Sequence, residues 1–144
     1  MLSEVFVAGS DDEAKKYLRS GAAAADVDAI IETTGLTPVE LDLLQSVLTG
    51  ESLKHILRET GGGVLAYGGD EGPWLEDIRP ELTDLLAELP ESDVASVAAR
   101  WREHEELAEA DPADVEALLR DLVALAGTAR GRGGELYLWN ALEE

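Results

Sequence analysis

The sequence predicts a single α/β or α+β domain over residues 1–144. In it a small sheet of three to four short strands is covered by about six helices, the C-terminal half is mainly helical, and the final strand is central. Three observations carry this expectation. Short apolar runs bounded by glycine recur at 4–8, 64–67 and 135–141, as core strands do. Apolar residues recur at helical spacing behind recognisable caps from 37 onwards and again across 81–130. A 144-residue chain with 45% hydrophobic and 29% charged residues is the size and composition of one ordinary core.

Taken in order, EVFVA (4–8) is β-branched and followed by Gly9, so it is assigned as a strand. Ser10 stands three residues before Glu13, the reciprocal capping arrangement, and opens a helix that Gly21 closes. After Ala22–Ala25, VDAIIETT (27–34) is assigned as a strand on Val27, Ile30, Ile31 and its threonines. A strand–helix–strand unit of this kind is right-handed if its strands are parallel.

Thr37-Pro38-Val39-Glu40 combines a capping threonine, a proline where no intrahelical N–H is needed and a glutamate at the box position. It starts a helix that carries Leu41, Leu44, Val47 and Leu48 to a stop at Gly50. SLKHILRET (52–60) predicts a shorter helix, stopped by three glycines, and VLAY (64–67) a strand. Beyond Trp74 the chain is expected to be helical in three segments: 81–89 opened by Pro80, 93–109 by Ser92 and 113–130 by Asp111-Pro112. ELYLWNA (135–141) alternates Leu136 and Leu138 with Tyr137 and Trp139. It is apolar on both faces and therefore expected at the centre of the sheet with helices on each side.

Charge sets the range of partners. Thirty-one acids against eleven bases give a formal net charge of −20, which disfavours nucleic acid and anionic membrane and favours a basic protein, a polyamine or a divalent cation. The chain has no cysteine, hence no disulfide, thiolate nucleophile or sulfur-built zinc site. The opening MLSEVFVAGSDDEAKK has neither a basic leader nor an apolar run of signal-peptide length, so export through a cleaved signal is not expected and the cytoplasm is the expected compartment. No stretch approaches the roughly 18 apolar residues of a membrane span.

Several stretches invite a chemical reading. Gly68-Gly69-Asp70-Glu71 spells the opening of the catalytic loop of diguanylate cyclases, which condense two GTP molecules around magnesium. That family's next residue, a phenylalanine, is replaced here by Gly72-Pro73, and its upstream Phe-Lys and Asn-Asp pairs do not occur, so the stretch is read as a turn. TGGGVLAYGG places no Lys-Ser or Lys-Thr after its glycines, so it is not a phosphate-cradling loop. Neither His55 nor His104 has zinc-protease spacing. In WREHEELAE (101–109), His104 and Glu105 end the apolar stripe of a helix, as a core-margin pair or as a polar cluster able to move a proton. No serine has a nucleophile-elbow context. No catalytic residue, metal site or cofactor is therefore assigned.

The acids are unevenly spread. Residues 70–93 hold nine against Arg79 alone, and 103–121 hold eight against Arg120 alone. Along 81–89, Glu81, Asp84 and Glu88 share one side and leucines another. These features predict a non-enzymatic interaction protein, in the class of bacterial immunity proteins, inhibitors or secretion chaperones, that binds a basic protein through acidic helices. The residues assigned to that surface are Asp70, Glu71, Trp74, Glu76, Asp77, Glu81, Asp84 and Glu88. The alternative is a small metal- or nucleotide-dependent enzyme using Asp70, Glu71, His104 and Glu105, which requires those four side chains to converge.

Overall fold

The computed structural model describes residues 2–23, 29–52, 54, 64–70, 72–104 and 107–142. Five strands form one sheet: β1 (Leu2–Ala8), β2 (Ile30–Thr34), β3 (Val64–Tyr67), β4 (Trp74–Asp77) and β5 (Glu135–Ala141). Their order is β2-β1-β5-β4-β3, and every neighbouring pair is antiparallel. The described helices are α1 (Asp11–Lys15), α2 (Pro38–Thr49), α3 (Pro80–Glu88), α4 (Glu91–Arg102) and α5 (Pro112–Arg132). The expected helix over 52–60 lies outside the described residues, except for Ser52 and Lys54.

β5 is the middle strand, as its two apolar faces require. It pairs with β1 from Leu2↔Ala141 to Ala8↔Glu135 and with β4 from Trp74↔Asn140 to Asp77↔Tyr137. One face of the sheet, with Val5, Val7, Leu136 and Leu138, is covered by α2 to α5. On α5, Val115, Leu119, Leu122, Ala126 and Ala129 are all buried, at the alternating spacing of four and three that keeps a helix stripe on one core. Each fully buried leucine of this layer contributes about 2 kcal/mol. Trp101 of α4 is fully buried and its indole N–H donates to the Glu40 carbonyl of α2 at 2.9 Å, locking two helices of the layer together. The other face carries Phe6, Leu75, Tyr137 and Trp139.

Several expectations need correction. Among the described residues the strands number five, because Trp74–Asp77 is a strand. It buries only Leu75 and carries two acids, so its own pattern is weak; pairing with β5 and β3 makes it extended. Among the described residues the helices number five. The N-terminal strands pair antiparallel, so the handedness rule for parallel crossovers does not apply. Within 27–34 the strand is Ile30–Thr34, and 24–28 lie outside the described residues.

α1 is shorter than expected, continuing as turns to Gly21, whose φ of +74° is the left-handed stop. The Ser10 hydroxyl accepts from the Glu13 amide at 3.1 Å, while the Glu13 carboxylate reaches the Gly9 amide at 3.0 Å. α4 begins at Glu91 with Pro90 as its cap instead of Ser92. It ends at Arg102 instead of running to 109, where the Arg102 guanidinium folds onto the carbonyls of Ala110 at 2.7 Å and Ala108 at 3.3 Å. The starts of α2 and α5 are as read: Glu40 accepts from the Thr37 amide and hydroxyl, and Asp111 from the Ala113 amide.

Candidate functional site

Because α3, α4 and α5 spend their apolar stripes on the shared core, their polar sides face outward, and those sides are acidic. Across residues 80–132 the described positions include eleven acids and five arginines, with no lysine. Glu81, Asp84 and Glu88 are exposed on α3, Glu91 and Asp93 at the start of α4, and Asp114 and Asp121 on α5. Two arginines lie among them. Arg120 meets Glu91 at 2.7 Å and Glu116 at 3.3 Å, and Arg130 meets Asp84 at 3.9 Å and Glu88 at 3.6 Å. These pairs are solvent-exposed and each is worth about 0–1 kcal/mol, so a partner's cations compete with them at little cost. Among the described residues no ion pair reaches Glu81, Asp93, Asp114 or Asp121.

The eight residues assigned to a docking surface do not all share this environment. Glu81, Asp84 and Glu88 stand on the outer side of α3, and Asp77 is exposed at the end of β4. Asp70 is exposed in the connection between β3 and β4, where the Gly68 amide donates to the Pro73 carbonyl at 2.8 Å; Glu71 lies outside the described residues. This connection is the turn expected of the Gly-Gly-Asp-Glu stretch. Its Gly72 has a φ of +90°, and a Cβ there would stand 2.7 Å from the Trp74 ring. Trp74 is thus half-buried against its own turn, opposite Tyr67, which is exposed. Glu76 is not on the outer surface: its register partner is Leu138, on the helix-covered side of the sheet.

Glu76 belongs to a charged cluster that sequence reasoning missed. Arg79, which caps α3, extends to Asp42 of α2 at 3.0 Å, with only 15% and 16% of the two side chains exposed, and its Nη1 also lies 3.5 Å from the Gln45 amide oxygen. Burial pushes the Asp42 carboxyl above its ordinary range despite the arginine beside it. Burial does the same to Glu76, reinforced by the negative charges of Asp42 and Asp77 and opposed by Arg79. The one signal available in the sequence was Arg79 itself, a lone base among nine acids. The cluster ties α2 to the β4–α3 corner and so fixes where the acidic helices begin.

His104 is half-buried in the turn after α4, its amide donating to Trp101 and its carbonyl accepting from Leu107; Glu105 lies outside the described residues. No hydrogen bond or ion pair joins His104 to Asp70 among the described residues. Nor do three histidine, aspartate or glutamate side chains gather there as metal ligands. No described helix is long and apolar enough to cross a membrane. An open depression of about 280 Å³ between α4 and α5 is lined mainly by Ala95, Ala98, Ala99 and Ala113, together with Arg102 and Glu116. No family model matches the chain, and no curated protein or solved structure is significantly similar to it.

Proposed function

We propose that this chain is a non-enzymatic binding protein that takes a basic protein partner on the exposed carboxylates of α3, α4 and α5, as immunity proteins, inhibitors and secretion chaperones do. One observation carries the reading: the acids exposed on these three helices stand on one side of the molecule, behind a layer whose apolar residues are already used in the core. Such a surface accelerates encounter with a positive partner and loses its pull as salt screens it, since the Debye length falls from about 30 Å at 0.01 M to about 8 Å at 0.15 M. The opposite side has a different charge, because the segment over the other face exposes Lys15, Lys16 and Arg19 beside Asp11, Asp12 and Glu13.

The test is neutralisation of α3. A Glu81→Gln/Asp84→Asn/Glu88→Gln variant, none of whose changes touches the core, is compared with the parent for association with a basic protein at low and moderate salt. The expected result is an association rate at least several-fold lower for the variant, with a shallower salt dependence. Equal rates and equal salt dependence would remove α3 from the surface and the reading with it.

A further inference from the structure

The two faces of the sheet are covered very differently. Four helices seal one, whereas among the described residues the other is covered by residues 10–23 alone, which comprise α1 and the turns that follow it. This cover lies over Phe6, Leu75, Tyr137 and Trp139, all of them buried. Its apolar grip is small: only Ala14 and Ala22 are fully buried, with Tyr17 and Leu18 half-buried, and Tyr17 meets Phe6 edge-on at 5.8 Å.

Polar ties hold it along its length. The Tyr137 hydroxyl donates to Asp11 at 2.8 Å and the Trp139 indole N–H to the Leu18 carbonyl at 2.7 Å. At the far end the Glu4 carboxylate accepts from the amides of Ala22 at 2.7 Å and Ala23 at 3.3 Å. Gly21 lies so close over Glu4 that a Cβ would stand 2.8 Å from its carboxylate oxygen.

We infer that residues 10–23 form a strap that opens as a unit while the sheet and its four-helix layer stay folded, uncovering the aromatic face of Phe6, Tyr137 and Trp139. Several properties support this. α1 has five residues, too few to be stable as a helix away from the sheet. Each polar tie joins groups that water can satisfy once the strap lifts. The strap's ties to β1 and β5 run through the side chains of Glu4, Tyr137 and Trp139, and among the described residues it shares no backbone hydrogen bond with the β1–β5 ladder, so the strap can leave without breaking that ladder. Segments with few buried apolar contacts and many polar ones are where proteins open locally. The inference is independent of the acidic-helix reading.

Native-state amide exchange in increasing urea tests it on the intact chain. The hydrogen-bonded amides of Gly21 and Ala22 are expected to exchange through an opening that is more frequent, and much less dependent on urea, than the one exposing the β1–β5 ladder. Trypsin under native conditions is expected to cut at Lys15, Lys16 or Arg19 at a rate set by that same opening. Two variants separate the levels. Leu119→Ala, deep in the opposite layer, should speed exchange of the ladder by on the order of a hundredfold and leave Gly21 and Ala22 unchanged. Tyr137→Phe, which removes one tie, should speed Gly21 and Ala22 by about tenfold. Strap amides that follow the ladder in rate and urea dependence, or that accelerate with it in Leu119→Ala, would overturn the inference; if that variant does not fold, the urea dependence of the parent chain decides.

Discussion

Asn140→Ala should be among the more damaging polar substitutions in the molecule. Asn140 lies on β5 with 5% of its surface exposed, and its side-chain amide donates to the Ser3 hydroxyl at 2.9 Å and to the Leu36 carbonyl at 2.8 Å. The same Ser3 hydroxyl accepts from the Leu36 amide at 3.1 Å. The node therefore joins β1, β5 and the residue just before the cap of α2, and it sets where the helix layer attaches to the sheet. Truncation removes two hydrogen bonds of about 1 kcal/mol each and strands a buried carbonyl at a further 1–3 kcal/mol, a loss of about 3–5 kcal/mol. For a chain of this length that lowers the midpoint by about 6–20 °C. The assay is urea and thermal unfolding of the parent, Asn140→Ala, Ser3→Ala and the double variant, with the urea slope required to stay constant. The double variant should be less destabilised than the sum of the singles, since both act on one node. A loss below about 1 kcal/mol for Asn140→Ala, or strict additivity, would mean that these bonds do not form a stabilising node.

Two further outcomes follow from other parts of the structure. The carboxyl of Glu76 is held above its ordinary range, so the folded state binds that proton more tightly than the unfolded chain and stability falls as pH rises through the window between the two values. Glu76→Gln should therefore be more stable than the parent at neutral pH and lose that advantage on acidification, as unfolding in urea at a series of pH values would show; an advantage that grows towards acid contradicts this. Gly72→Ala forces a side chain into left-handed backbone and against the Trp74 ring, and should cost at least about 1 kcal/mol by the same unfolding assay. No loss would mean that the turn relaxes around it.

Local signals in the sequence correspond to the elements that local physics decides. Thr37, Pro38 and Glu40 start α2 and Gly50 ends it in left-handed backbone, and Asp111-Pro112 starts α5. The apolar character of both faces of 135–141 reflects the central place of β5. Where the reading departs from the structure, a distant partner decides. β4 is four residues long with one buried side chain, and it is extended because β5 and β3 flank it. α4 stops at Arg102, whose guanidinium binds carbonyls of residues that follow it. Arg79 was visible as a lone base, but Asp42 and Glu76 come from α2 and β4, and no spacing in the chain announces that these three share a half-buried corner. The strap was legible as a capped helix closed by Gly21, whereas its ties to Glu4, Tyr137 and Trp139 join residues at opposite ends of the sequence.

Docking of a basic partner on the α3–α5 side of the molecule, as proposed above, is tested by amide chemical-shift mapping during titration with a basic protein at low salt. The expected map has its largest changes at Glu81, Asp84, Asp93, Asp114 and Asp121, fading as salt is added, with the amides around Lys15, Lys16 and Arg19 unmoved. Changes centred on the strap, or spread evenly over every exposed carboxylate of the chain, would contradict it.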